Sequence, residues 1–227
     1  MEDREYELGL LHLVLTAIAA QTGRSPAGRS SPTARWFWPA KGDREMRITV
    51  VGRGRLGGGL ADLWERAGHE VTRLGRDGGD VSDADAVLVA VPGGAIAEAF
   101  DGLRGVEAKT MIDATNLPGV APPEGFASNA EFVKSKTKGP TAKSFNFNFA
   151  SLFGRLSEAR ARPSNFWCGD EEAREVVEQL NRDAGYDPVC TGPLESAAAQ
   201  EGLLGMLFGI AEGMGPMVYR FAPVDQL

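Results

Sequence analysis

The sequence predicts an α/β fold built on a doubly wound parallel sheet and followed by a short C-terminal helical segment. Three observations support this fold class. Short β-branched runs alternate with amphipathic stretches between residues 46 and 192. A glycine-rich turn joins the first run to the first amphipathic stretch, and residues 193–227 carry an apolar stretch of helical composition. Such alternation is typical of crossover connections that place helices on both faces of a parallel sheet.

Each element is predicted from its local pattern. Residues 47–51 predict a buried strand, residues 56–67 predict a helix that ends at Gly68, and residues 69–74 predict a second strand. Residues 77–87 are too few for a complete helix and strand, so the second crossover is expected to be trimmed to a loop or a single turn. Further strands are predicted at 86–91, at 110–113 and from 141 onward, and 164–193 predicts strand, helix and strand, with Asp170 as the N-cap.

The first predicted turn has the sequence GRGRLG, a GxGxxG pattern between a strand and a helix. That context is typical of a Rossmann-like, dinucleotide-binding fold. Gly52 would allow the tight turn, Gly54 would let the backbone approach a pyrophosphate, and Gly57 would let the helix pack closely on the strand. The diphosphate is then expected at the helix N-terminus, where free N–H groups favour negative charge, with Arg55 and Leu56 beside it.

The end of the second strand indicates which dinucleotide would bind. An NAD site places Asp or Glu there to bind the ribose 2′-hydroxyl, but Leu74 holds that position here. Gly75 and Arg76 follow, and the Arg76 guanidinium could bind a 2′-phosphate through two charge-assisted hydrogen bonds. We therefore expect NADP rather than NAD, with Arg53 facing solvent. Asp77 leaves the alternative open, because it could bind a 2′-hydroxyl if the strand ended later.

Ligands of doubly wound sheets bind outside the carboxyl ends of the strands. Four residues at such ends are therefore candidates for contact with the cofactor: Val91, Pro92, Asn116 and Asn146. Pro92 and Asn116 could instead only shape turns.

Two nearby groups of side chains have alternative interpretations. The first group either lines a dry stacking pocket or, as we favour, belongs to the core. It consists of Phe145, Phe147 and Phe149. The second group either attracts an acidic coenzyme or, as we favour, forms a solvated loop. It consists of Lys134, Lys136, Lys138 and Lys143.

Composition excludes several functions. The net charge of −7 argues against a nucleic-acid partner, because such partners bind basic faces. The chain has two cysteines, two histidines and no CxxC pair, so a zinc site of Cys and His ligands is rejected. Cys168 and Cys190 are expected to be buried thiols in a reducing cytoplasm.

The chain divides into three predicted parts. These are an N-terminal extension and linker (1–45), a dinucleotide-binding domain (46–192) and a C-terminal helix and tail (193–227). The apolar stretch at 8–20 is too short to span a bilayer, which takes about 20 residues, and its acidic flank is unlike a secretion signal. We expect a short amphipathic or buried helix there and no membrane partner. Because Met46 stands where a strand-first domain would begin, the extension could equally come from a misassigned start codon.

Five motifs occur in order between Met46 and Gly215: MRITVVGRGRLG, VLVAVPGG, MIDATNL, AKSFNFNFA and CGDEEAREVVEQLNRDAGYDPVCTGPLESA. Together they resemble the deazaflavin (coenzyme F-420)-dependent NADP oxidoreductase family. The resemblance implies a second redox partner, a deazaflavin coenzyme or a flavin, stacked against the nicotinamide. The trimmed second crossover and the Gly93-Gly94 pair, where a bulky residue is common, depart from the family pattern. The resemblance implies that NADP contacts Gly52, Gly54, Leu56, Gly57, Arg76, Val91 and Pro92.

Three functions stay open on the sequence alone. The first is an oxidoreductase that transfers a hydride between NADPH and a flavin, a deazaflavin or another small acceptor. The second is a non-catalytic NADP-binding module that senses redox state or regulates a partner. The third is a dehydrogenase whose metabolite pocket is completed by a dimer mate. No catalytic base is evident, which favours the first two.

The C-terminal segment is too short to be a separate substrate domain. Residues 194–215 predict one long apolar helix that contains several glycines. This helix is expected either to cover the sheet or to pair with a second copy in a homodimer. Its Met206, Phe208 and Met214 are expected to lie in the core or in that interface.

Overall fold

The computed structural model describes residues 44–226 of the chain. The strands are β1 (Arg47–Val51), β2 (Glu70–Leu74), β3 (Gly79–Asp80), β4 (Ala86–Val89), β5 (Leu103–Arg104), β6 (Thr110–Asp113), β7 (Thr141–Ser144), β8 (Ser164–Gly169) and β9 (Asp187–Cys190). The α-helices are α1 (Arg55–Ala67), α2 (Ile96–Asp101), α3 (Asn129–Thr137), α4 (Arg174–Asp183), α5 (Ala197–Gly202) and α6 (Leu204–Met214). Short 3-10 helices occupy Gly93–Ala95, Ala150–Glu158, Glu171–Ala173, Leu194–Ser196 and Val224–Gln226.

Seven strands form one sheet in the order β2-β1-β4-β6-β7-β8-β9. The first five of these run parallel to one another. However, β8 runs antiparallel to β7, and β9 runs parallel to β8. The predicted parallel α/β sheet is therefore confirmed for the five strands from β2 to β7 in this order. It is wrong for the last two strands, whose direction no local sequence pattern reveals.

Alternating apolar residues of the central strands build a core on each face of the sheet, as a doubly wound fold requires. On one face, Val50 and Leu88 join the buried side of α1, including the indole of Trp64, and the buried side of α4. On the other face, Val51 and Val89 join the apolar residues of α2 and α3. Both cores lie beneath the same carboxyl edge of the sheet, so that edge is rigidly supported.

The connection from β2 to β4 contains no helix. It consists of a turn and the two-residue strand β3, which pairs in parallel with β5. The expectation of a trimmed second crossover is therefore confirmed. The shortened connection leaves Arg76 and Asp77, which follow β2, exposed to solvent.

The C-terminal segment is broken rather than one long helix. Leu203 separates α5 from α6, and no residue of α6 is buried in this chain. After α6 the chain returns to the sheet, where the N–H of Ser164 donates to the carbonyl of Tyr219 at 2.7 Å. The Ser164 hydroxyl also accepts from the N–H of Phe221 at 2.8 Å. The segment therefore leaves the core as α6 and is attached to it again at β8.

Two expectations about single residues need correction. Cys168 is buried as expected, and burial raises the pKa of its thiol to about 12. Cys190 is exposed, so the expectation of two buried thiols is wrong. Asp170 does stand before a helix, but its side chain caps nothing there; instead its carboxylate accepts from Lys134 at 2.6 Å and from the N–H of Thr141 at 2.8 Å.

The predicted N-terminal extension falls almost wholly outside the described residues. Of that extension, only Arg44 and Glu45 are described, and Met46 is already buried at the start of the sheet. Among the helices of residues 44–226, none is both long and apolar enough to cross a membrane.

A buried histidine joins the start of the sheet to α4. The backbone N–H of Met46 donates to Nδ1 of His69 at 3.1 Å, so Nε2 carries the ring proton and donates to Asp183 at 3.0 Å. Both side chains are almost fully buried, with 2% and 3% exposed. This histidine lies at the amino end of β2, away from the carboxyl edge, and its role is structural.

We expect His69→Ala to lower the free energy of unfolding by about 3 kcal/mol, because it leaves a buried carboxylate and a buried N–H unpaired. Urea denaturation measures the change. Arg155→Ala is the matched control, since it breaks the exposed Arg155–Glu158 pair, and no measurable change is expected. An equal effect of the two substitutions would contradict the structural role of His69.

Candidate functional site

Three glycines shape the turn between β1 and α1. Gly52 has a φ of +111°, and a Cβ atom there would collide with the carbonyl of Ala90. A Cβ atom at Gly57 would collide with the carbonyl of Gly52 and press on the side chains of Val50 and Ala90. A Cβ atom added at Gly54 would meet no other atom within 4 Å. The turn is therefore held by close backbone contacts at both ends and is open in the middle, where a diphosphate would need to approach.

The N-terminus of α1 follows this open position directly. The N-cap residue is Gly54, so no side chain caps the helix, and the first turn of α1 contains no acidic residue. The first hydrogen bond of the helix runs from the N–H of Gly58 to the carbonyl of Gly54 at 2.8 Å. The amides of residues 55–57 are left for an external acceptor, which favours an anion. Arg55 is exposed beside them, and Leu56 packs half-buried against the core.

The end of β2 carries two guanidinium groups. Arg76 is exposed in the turn after β2. Arg53 is exposed as expected, but its guanidinium lies directly over Gly75, so a Cβ atom at Gly75 would collide with it. Neither guanidinium pairs with a carboxylate of residues 44–226. Arg73 differs, because its guanidinium is bound to Glu65 and to Asp62 on α1.

The loops after β4 and β6 meet at the same edge. Val91 is half-buried and Pro92 is exposed at the end of β4. Gly93, the next residue, is buried so closely against the carbonyl of Asn116 that a Cβ atom there would collide with it. The predicted positions after β4 and β6 are therefore brought into contact.

The side chains of Asn116 and Asn146 bind each other. Asn116 Nδ2 donates to the backbone carbonyl of Asn146 at 2.7 Å, and Asn146 Nδ2 donates to Asn116 Oδ1 at 3.1 Å. Asn146 is 5% exposed, whereas Asn116 is half-buried. The second N–H of the Asn116 amide makes no hydrogen bond within residues 44–226. Asn116 is therefore held by one loop and can donate a hydrogen bond to a ligand.

A buried ion cluster lies next to this pair. Lys143 Nζ contacts Asp113 Oδ2 at 2.8 Å, the carbonyl of Thr115 at 2.9 Å and Glu201 Oε1 at 2.7 Å. Burial alone would lower the pKa of Lys143, but the two carboxylates reverse that effect and hold it above its ordinary value. Burial raises the pKa of Glu201 and the neighbouring carboxylate of Asp113 adds to this effect, while the ammonium of Lys143 acts in the opposite direction. The expectation that Lys143 belongs to a solvated loop is wrong.

The phenylalanines that follow β7 belong mainly to the core. Phe145 is fully buried and packs edge-on against Trp64, with ring centroids 5.7 Å apart. Phe147 packs edge-on against Phe166 at 6.0 Å. Phe149 is half-buried in the next loop. The favoured interpretation as core residues is confirmed for Phe145 and Phe147, so a stacking pocket would need other walls.

Phe145 has a φ of +63°, which is rare for a bulky residue. This backbone conformation turns the chain at the end of β7, so that the ring enters the core while the next residue faces Asn116. Such strain is typical of functional sites.

Among residues 44–226, no group of His, Cys, Asp and Glu is arranged to hold a metal ion.

Most of the predicted site residues therefore lie along one edge of the sheet. The interpretation of the sequence missed the contact of Arg53 with Gly75, the burial of Lys143 and the contribution of Asp113, Gln200 and Glu201. One available signal was the position of Lys143 in a central strand, where both faces of the sheet are covered.

No family model matches the sequence, and a search of curated proteins also finds no match. Among solved structures, the fold is similar to that of a candidate F-420-dependent NADP reductase from Arthrobacter sp. FB24, with a TM-score of 0.67 and 22% identity over 78% of this chain and 100% of the other. A reductive aminase from Aspergillus terreus in complex with NADPH and ethyl-5-oxohexanoate matches with a TM-score of 0.57 and 15% identity, over 75% of this chain and 64% of the other.

A third similar structure is 3-hydroxyisobutyrate dehydrogenase from Mycobacterium tuberculosis, with a TM-score of 0.52 and 15% identity over 76% of this chain and 67% of the other. At these identities the similarity is one of fold. The chain therefore has the Rossmann-like α/β fold predicted from its sequence and shares it with these three proteins.

Proposed function

We propose that the chain is an oxidoreductase that binds NADP and transfers a hydride between NADPH and a flavin, a deazaflavin or another small acceptor. The observation that carries this proposal is the combination of an open glycine turn, uncapped amides at α1 and two guanidiniums at the end of β2 that pair with no carboxylate of residues 44–226. The names of the structures with a similar fold support it, since they include an NADP reductase and a reductive aminase in complex with NADPH.

The adenosine end of the site fits NADP. A dinucleotide diphosphate would lie over Gly54 and accept from the amides of residues 55–57, with Arg55 nearby. Its 2′-phosphate would lie between Arg76 and Arg53, which present charge-assisted donors. Asp77 is the competing group, because a carboxylate there would favour a 2′-hydroxyl.

The nicotinamide end of the site would be formed by the loops after β4, β6 and β7. Val91 and Pro92 would lie beside the ring, and the unpaired N–H of Asn116 would donate to a polar group of the cofactor. When bound, NADPH supplies the hydride. The chain would bind and orient the two reactants and exclude water, which hydride transfer requires more than a side-chain base.

Helix α6 fits an interface with a second copy of the chain. Seven large apolar side chains are more than a third exposed within residues 44–226, and all except Val120 lie between residues 208 and 224. Gly205, Gly209 and Gly213 lie four residues apart on one side of α6, and added Cβ atoms there would meet nothing within 4 Å. A second α6 could therefore approach closely, and we propose a homodimer formed through this helix. We also propose that the protein acts in the cytoplasm.

The specificity prediction concerns the two guanidiniums. Arg76→Ala and Arg53→Ala should each weaken NADPH binding by about tenfold to a hundredfold, the cost of losing charge-assisted hydrogen bonds, and leave NADH binding nearly unchanged. Titration calorimetry with both coenzymes measures this. Arg66→Ala, an exposed arginine in the last turn of α1, is the matched control. Equal losses for NADPH and NADH would place the 2′-phosphate elsewhere.

The activity prediction concerns hydride transfer itself. The purified chain should oxidise NADPH, followed by absorbance at 340 nm, when FMN, riboflavin or the deazaflavin coenzyme F-420 is supplied. NADPH alone is the control and should stay reduced. Tight binding of NADPH without turnover with any of the three acceptors would contradict hydride transfer to them and favour the non-catalytic module.

The assembly prediction concerns α6. Light scattering should give twice the chain mass of 24.2 kDa, and Ile210→Glu should reduce it to one chain, because the charge would be buried in the interface. Val120→Glu, at an exposed apolar residue outside this helix, should leave the dimer intact. A monomeric wild-type protein would refute the interface.

A further inference from the structure

Helix α5 places two consecutive polar side chains against the carboxyl edge of the sheet. Gln200 is 4% exposed, and the side chain of Glu201 is 12% exposed. Apart from Gln200, the only buried residue of α5 is the small Ala197. Apolar burial at this helix is limited to Ala197, which packs with Leu194, Ala130 and Cys168. The contacts of Gln200 and Glu201 attach the rest of the helix to the sheet.

The first link runs from Glu201 to the loop after β6. Glu201 binds the ammonium of Lys143, whose other two contacts are Asp113 and the carbonyl of Thr115. The second oxygen of Asp113 accepts from the N–H of Thr115 at 2.9 Å. The ammonium donates hydrogen bonds to Asp113 and to the Thr115 carbonyl, and its contact with Glu201 is an ion pair. Such pairing is the condition under which a buried cation is tolerated. The link ends on the residue immediately before Asn116.

The second link runs from Gln200 to Asn116 itself. Gln200 Nε2 donates to Asn146 Oδ1 at 2.8 Å, and Asn146 donates to Asn116 as described above. The hydroxyl of Thr191 donates to Gln200 Oε1 at 2.9 Å. Together these hydrogen bonds form a continuous chain of side-chain amides.

The direction of that chain follows from a single backbone group. The carbonyl of Asn146 can only accept, so the Asn116 amide must turn its nitrogen towards it and its oxygen towards Asn146 Nδ2. Asn146 Oδ1 must then accept, and only the nitrogen of Gln200 can donate to it. Gln200 therefore supports the orientation in which Asn116 offers its second N–H outwards.

We infer that Gln200 and Glu201 are positioning residues, which hold Asn116 and its loop in the geometry that binds the nicotinamide half of the cofactor. This inference rests on the proposed function. It adds that the C-terminal helical segment is part of the site, although its residues lie far in sequence from the glycine turn. Neither residue contacts the adenosine half, so their effect should be confined to one end of the dinucleotide.

The test compares two ligands that share the adenosine half. NADPH and adenosine 2′,5′-bisphosphate are titrated by calorimetry into wild-type protein and into Gln200→Met, Glu201→Leu and Glu201→Gln. We expect Gln200→Met and Glu201→Leu to weaken NADPH binding by about tenfold, which corresponds to losing the one hydrogen bond that Asn116 would donate to the cofactor. Binding of the bisphosphate should be unchanged. Glu201→Gln should retain most of the affinity for NADPH, because the amide oxygen of the new side chain can still contact the ammonium of Lys143. Glu175→Gln, on the exposed side of α4, is the matched control.

The outcomes separate this inference from the function on which it rests. Unchanged binding of both ligands in Gln200→Met and Glu201→Leu would overturn the inference and leave the proposed function standing. Equal weakening of both ligands would overturn it as well, since it would indicate a general loss of structure. If Glu201→Leu fails to fold, Gln200→Met decides alone, because it keeps the ion cluster intact. If wild-type protein binds neither ligand, the proposed function itself fails.

Discussion

The arrangement of the carboxyl edge depends on one steric constraint, the contact of the first turn with the end of β4. The carbonyl of Ala90 lies where a Cβ atom of Gly52 would stand. The methyl group of Ala90 would crowd a Cβ atom added at Gly57. Only glycine at both positions lets backbone meet backbone here. This contact places the start of α1 over the edge of the sheet and leaves Gly54 as the open point of the turn.

The parts of the structure that depend on local pattern were predictable. The glycine turn, the strands β1, β2, β4, β6 and β7 and the missing second helix all follow from spacing, β-branched runs and chain length. The parts that depend on strand direction or on side-chain contacts were not. The reversal of β8, the burial of Lys143 and the contact of Arg53 with Gly75 are set by which segments become neighbours in space. For the reversal of β8 and the contact of Arg53, no local sequence pattern indicates which segments become neighbours.

Lys143 shows why the distinction matters. In the sequence it follows Lys134, Lys136 and Lys138, and this run of lysines suggests a solvated loop. In the fold it lies in a strand between β6 and β8, where both faces are covered, so its charge must be compensated. The compensation comes from Asp113 on a neighbouring strand and from Glu201, which is 58 residues further along the chain. A charge in the core thus requires the C-terminal helix to be in place.

The two ends of the site are built on opposite physical principles. At the end of β2, exposed arginines that have no carboxylate partner in the described part of the chain would attract an anion strongly and adaptably. At the loops after β6 and β7, buried amides are paired with one another and leave a single N–H to donate. Attraction at one end can retain a dinucleotide, whereas only an ordered, desolvated end can hold a reacting ring in one orientation. Because the ordered end is held by α5, and α5 is followed by the exposed α6, assembly through α6 would act on the same end at which we propose hydride transfer.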